Sequence, residues 1–208
     1  RTELTPPGIQ PELIQAIYKT GKPVVLVMVH GRAYSIKWEK EHIPAILEAW
    51  YPGEEGGNAV ARILFGEVVP SGKLTVSVPQ SVGHVPVFYN FKPSGRGTYH
   101  KPGTKEKPGR DYVNSSTDPL FPFGFGLSYT QFEYSDLIIN QKELRATDTV
   151  TLSVNLKNVG AVTGKEVVQV YINDKISSVT TPVIVLKGFK KVKVNPNETV
   201  TLNFTIPC

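Results

Sequence analysis

The sequence predicts an α/β layered domain, a partial α/β sandwich, followed by an all-β sandwich. Three observations carry that expectation. Across residues 1–80, apolar runs with helical spacing alternate with short strand-like runs, the order that builds a layer with parallel pairing. From about Phe132 onward the apolar period becomes two. Between them, residues 80–120 hold Pro86, Pro93, Pro102, Pro108 and Pro119 with little periodicity. A connection that long without its own elements is either functional or a linker. The boundary therefore falls near residue 125, giving domains 1–125 and 126–208.

In chain order, Glu12–Thr20 places Leu13, Ile14 and Ile17 on one helical face, with Gly21 as its stop. Pro23–Val29 is too apolar for a strand with one wet face and reads as central in a sheet covered on both sides. Trp38–His42 forms a short helix and Ala45–Trp50 a second buried segment. Gly57–Phe65 is a helix opened by a glycine-rich loop and closed by Gly66, and Leu74–Val78 reads as a short strand. In the second domain Val150, Leu152, Val154 and Leu156 alternate with polar residues, as do Val168, Val170 and Ile172, and Val200, Leu202, Phe204 and Ile206. Turn residues separate these runs, in a pattern of the immunoglobulin or fibronectin kind. About five strands are expected where such sandwiches have about seven, so the sheet reads as incomplete.

Composition excludes several classes. Residues 1–80 carry eight basic and eight acidic side chains, so the net charge of +5 is spread thinly over the remainder. Lys187, Lys190, Lys191 and Lys193 lie on an alternating segment and read as solvated strand faces and edge protection, so no nucleic-acid partner is expected. No apolar run approaches the roughly 20 residues of a membrane span. The lone Cys208 excludes an internal disulfide and a cysteine-based metal site. Three sequons, at Asn114, Asn197 and Asn203, matter only in a eukaryotic secretory route.

Chemistry-bearing patterns are sparse. Pro52–Gly57 lacks the lysine and spacing of a phosphate loop and reads as a tight turn carrying helix-capping carboxylates. No GxSxG elbow occurs. His30, His42, His84 and His100 show no metal-ligand spacing, so no histidine metal site is expected. His30-Gly31-Arg32 follows a buried strand, where α/β proteins place ligand groups, although a turn histidine bonded to backbone explains it more simply. Glu54 and Glu55 are adjacent and diverge, so they cannot bracket a scissile bond; Asp111 and Asp118 fall in the irregular loop. No catalytic residue is assigned.

The run Gly21–Val29 with Gly31-Arg32, then Ala49–Gly57, Leu64-Phe65-Gly66, Pro70–Leu74 and Leu120–Thr130, resembles the C-terminal half of glycoside hydrolase family 3, the β-glucosidase and β-xylosidase group. From about Phe132 the chain resembles the fibronectin type III-like domain of many members, with Leu186–Phe189 and Pro196–Phe204 matching its motifs. The resemblance implies a retaining hydrolase of terminal β-linked sugars that uses no metal or organic cofactor and is secreted, periplasmic or cell-wall associated. Its aspartate nucleophile would sit in an N-terminal barrel, and its glutamate acid/base just before a segment like Arg1–Gln10, where Pro6 replaces a leucine of the pattern. Both carboxylates then lie outside this chain, which would be an inactive fragment cut at both ends and prone to self-association. Substrate would reach the parent through its barrel, with Tyr89, Arg96, Arg110 and Tyr112 contributing from the loop rim, where rings and guanidinium groups suit sugar faces and hydroxyls. The alternative is a non-catalytic carbohydrate-binding or cell-surface module using the loop aromatics.

Overall fold

A computed structural model describes residues 3–93, 106, 115–141, 143–145 and 147–207. The chain folds into two compact units. The first comprises Arg1–Ala61, Leu74–Phe125 and Ser177–Val183; the second comprises Arg62–Lys73, Gly126–Ile176 and Ile184–Cys208.

In the first unit, α1 (Gln10–Tyr18) starts two residues before the expected helix, with Pro11 in its first turn, where a missing N–H costs nothing. Gly21 ends it with φ +70°, a conformation glycine adopts freely. No residue of α1 is buried, and Leu13 and Ile17 lie exposed. Strand β1 (Val25–Met28) pairs in parallel with β2 (Ala45–Glu48), Val25 opposite Ala45 and Met28 opposite Glu48. The expectation of a central strand fails: among the described residues β2 is the only neighbour of β1, and Val25 is 51% exposed. Leu26 and Met28 enter the core with Ile36, Val78 and Leu120, while Val25 points the other way. Helices α2 (Lys37–His42) and α3 (Gly56–Leu64) form as expected, and Gly66 follows α3 at φ +77°.

Leu74–Val78 is not a strand of the parallel layer. It runs antiparallel to residues 120–125, meeting them in one isolated bridge between Val78 and Phe121. Backbone bonds join Leu74 N to Phe125 O and Gly124 N to Leu74 O. Between these points the ladder breaks, because Phe123 N bonds to the Ser77 side chain and Pro122 has no N–H.

Among the described residues the second unit is a sandwich of five strands: β3 (Phe132–Ile139), β4 (Thr149–Asn158), β5 (Gly164–Ile172), β6 (Val185–Val194) and β7 (Thr199–Pro207). One sheet has the order β3-β4-β7, the other pairs β5 with β6, and all pairings are antiparallel. Its core is Val154, Leu156, Val168, Val194, Leu202 and Phe204, the inward members of the period-two runs. At one end Thr130 lies against Gly160 and Gly164. A Cβ on Gly160 would stand 2.2 Å from Thr130 Oγ1, so only glycine fits there.

Candidate functional site

A buried polar group of the first unit stands at the carboxyl ends of β1 and β2, the edge where open α/β sheets expose ligand-binding groups. Parallel pairing brings Met28 beside Glu48, and His30 N donates to Trp50 O at 3.2 Å. His30 and Glu48 therefore meet although eighteen positions separate them, with Nε2 3.1 Å from Glu48 Oε1. That approach lacks hydrogen-bond alignment, and neither ring nitrogen of His30 has a hydrogen-bond partner among the described residues. The imidazole is only 5% exposed and is walled by Tyr34 and Trp50, each edge-on at 4.7 and 5.3 Å between ring centres. Arg32, whose Nε is also buried without a partner, rests over the Tyr34 ring. Tyr51 covers Gly31 closely enough that a Cβ there would fall 2.5 Å from the ring.

Burial sets the protonation of this pair. It raises the Glu48 carboxyl from 4.5 to about 7, opposed weakly by the Trp50 N–H. Burial also lowers His30, with the Arg32 guanidinium adding to the effect and the Arg32 backbone opposing it. Burial thus favours the uncharged form of both groups, a protonated acid and a neutral imidazole in an apolar aromatic frame.

Carboxylates elsewhere have structural duties. Glu55 lies just before α3 and accepts from the Asn58 side chain, Nδ2, at 2.6 Å. Glu166 is held by Lys73 at 3.1 Å and by the Tyr134 hydroxyl, and Asp118 bonds to Ser116. Among the described residues no group of three or more His, Cys, Asp or Glu side chains is placed to hold a metal ion.

Of the four loop residues expected near substrate, Tyr89 is described. It is half-buried and stacks on Phe123, ring centres 4.1 Å apart and 14° from parallel. Arg96, Arg110 and Tyr112 lie outside the described residues, as do Tyr99, His100 and Asp111. His84, the other buried histidine, accepts from Gln80 N at Nδ1 and bonds Thr117 O through Nε2, which makes it a structural clasp. Sequence reasoning singled out His30 and Arg32 and missed Glu48, Trp50 and Tyr34. The available signal was the position of Glu48 at the end of a second parallel strand.

Comparison with known proteins adds a family context. Residues 1–129 match the glycosyl hydrolase family 3 C-terminal domain, and residues 166–208 match a fibronectin type III-like domain. The chain is 46% identical over 210 residues to a β-xylosidase of Formosa agariphila and 43% identical over 209 residues to the periplasmic β-glucosidase of Salmonella typhimurium. Each match covers 99% of this chain and 27% of the relative, so the chain spans about a quarter of the length of these proteins. Among solved structures it is similar to a β-glucosidase of Erythrobacter marinus, with a TM-score of 0.90 and 41% identity over 100% of this chain and 26% of that one. A β-glucosidase of Listeria innocua, solved with isofagomine, matches with a TM-score of 0.90 and 37% identity over 99% of this chain and 28% of that one.

Proposed function

The chain belongs to glycosyl hydrolase family 3, and from that membership we propose that it is the C-terminal portion of a retaining β-glucosidase-like hydrolase acting on terminal β-linked sugars. The observation that carries the reading is the ordered match of a family 3 C-terminal domain and a fibronectin type III-like domain along one chain. Relatives named β-glucosidase and β-xylosidase at similar identity support glycoside hydrolysis in common. Which of the two sugars is preferred belongs to the parts of the protein that hold it.

In this reading residues 1–125 are the α/β sandwich portion and 126–208 the fibronectin-like portion. The nucleophile and the acid/base come from elsewhere in the protein, because retention needs two carboxylates flanking one bond. The described carboxylates named above hold a lysine, an asparagine, a serine or a histidine instead. Tyr89, Arg96, Arg110 and Tyr112 contribute to the rim that receives the sugar. The stack of Tyr89 on Phe123 supports this, since it holds the phenol ring in a fixed plane. The test is hydrolysis of aryl β-glucosides and aryl β-xylosides by the 208-residue chain and by the full-length protein. Turnover by the full-length protein alone is expected; comparable turnover by the short chain would overturn the reading.

A further inference from the structure

The outward face of the β5–β6 sheet has a charge pattern that neither the core nor the proposed hydrolysis uses. Val168, Val194 and Glu166 point inward, so Lys165, Val167 and Gln169 of β5 and Phe189, Lys191 and Lys193 of β6 point outward. Beyond Val170 the register shifts, leaving exposed Lys187 at the irregularity, while the Tyr171 hydroxyl donates to Gln169 Oε1. The register sets Lys165 opposite Lys193, Val167 opposite Lys191 and Gln169 opposite Phe189. All four lysines are exposed, Phe189 is 67% exposed, and no acidic residue occupies an outward position of either strand. Among the described residues none of the four lysines forms an ion pair. Lys190 stands apart from them: its ammonium bonds to Asn203 O and lies over the Phe204 ring.

Two lysines directly opposite each other repel, which a sheet does not need for its own stability. Edge protection by lysine accounts for isolated charges. A cluster of Lys165, Lys191 and Lys193 with the exposed Phe189 ring beside it, and no compensating acid, is instead complementary to a polyanion. Successive outward residues on a strand recur about every 7 Å, which suits a regularly charged polymer better than a single small anion. The exposed Phe189 ring offers an apolar face on which a pyranose can lie.

We propose that this face docks an acidic, uronate-bearing polysaccharide, the lysines pairing with carboxylates and the Phe189 ring with a sugar face. The choice of a glycan over other polyanions rests on the family reading; the charge pattern does not. The experiment is biolayer interferometry of the 208-residue chain on immobilised polygalacturonate, neutral arabinoxylan, duplex DNA and phosphatidylserine vesicles. Salt-sensitive binding to polygalacturonate, at least tenfold tighter than to the other three surfaces, is expected. The double variant Lys191→Gln/Lys193→Gln should weaken it about tenfold, the scale of two exposed ion pairs, with an unchanged circular dichroism spectrum, while Lys22→Gln in the first unit should not. Absence of binding, equal binding to arabinoxylan, DNA or vesicles, or indifference to the double substitution would overturn the proposal. Each of these outcomes is independent of aryl-glycoside hydrolysis, so failure here and failure of the hydrolase reading are told apart.

Discussion

Inside the β-sandwich the Thr130 hydroxyl donates to Asn158 Oδ1 at 2.7 Å, and both side chains are buried. The same Oδ1 accepts from Gly160 N, while Asn158 Nδ2 donates to Val162 O and Val194 O. One carboxamide therefore ties the end of β4 to the turn after it, to β6 and to the segment that enters β3. Thr130→Val keeps the shape and removes the donor, for an expected loss of about 1–2 kcal/mol. Asn158→Leu strands two carbonyls, an N–H and a hydroxyl together, and is expected to cost about 4 kcal/mol or to prevent folding. Urea unfolding of the two variants checks the order; equal losses would contradict the network.

A buried ion pair organises the same unit elsewhere. Lys73 and Glu166 meet at 3.1 Å with side chains 16% and 10% exposed, and Lys73 Nζ also donates to Gly126 O. The Tyr134 hydroxyl donates to the same Glu166 oxygen at 3.1 Å, so burial and the carboxylate push the phenol pKa up. Lys73→Met leaves a buried carboxylate unpaired and is expected to cost about 3 kcal/mol. Lys73→Met combined with Glu166→Leu should cost less than the sum of the single changes. A double-mutant cycle by thermal unfolding measures this coupling, and strict additivity would show that the pair contributes nothing.

The two units differ in how much of them could be read from the sequence. The alternation of Val200, Leu202, Phe204 and Ile206 translates directly into the burial of β7, because a period of two assigns faces without knowledge of neighbours. The same logic cannot say how many strands flank an apolar run, so β1 was expected in the middle of a sheet and has one partner among the described residues. Leu74–Val78 has strand-like composition, yet the Ser77 hydroxyl and Pro122 of the facing segment break its ladder, which a propensity argument does not weigh. The meeting of His30 with Glu48 follows from a parallel register, a relation that has no local signature. Lys190 sits among identical neighbours in the sequence and is set apart from them by its bond to Asn203 O and its place over the Phe204 ring.

The His30–Glu48 pair predicts a specific pH dependence. A carboxyl raised from 4.5 to about 7 favours folding fully below pH 4.5 and loses that contribution as pH rises through about 7. His30 acts in the opposite sense. Its pKa is lowered, so its neutral form stabilises the fold above the ordinary histidine value and loses effect on acidification. Glu48→Gln mimics the protonated acid and keeps an acceptor for Trp50 N. It should leave stability near pH 4.5 unchanged and raise it at pH 8 by up to about 3 kcal/mol. Denaturant midpoints measured from pH 4 to 8 provide the check, and a parallel offset at every pH would rule out this titration.

The proposed rim assignment is tested in the full-length protein. Tyr89 stacks on Phe123 and takes little part in the cores of either unit, so Tyr89→Ala should fold normally. If the ring supports a sugar face, kcat/KM for an aryl β-glycoside should fall about tenfold, with most of the change in KM, because stacking on the ground state is uniform binding. Tyr89→Phe keeps the ring and should restore most of the loss. Arg96→Ala, Arg110→Ala and Tyr112→Ala should behave likewise through lost hydrogen bonds to sugar hydroxyls. A fall confined to kcat, or a Tyr89→Phe variant as impaired as Tyr89→Ala, would place these residues outside the sugar-binding rim. Unchanged kinetics across all four positions would leave the loop with a structural role only.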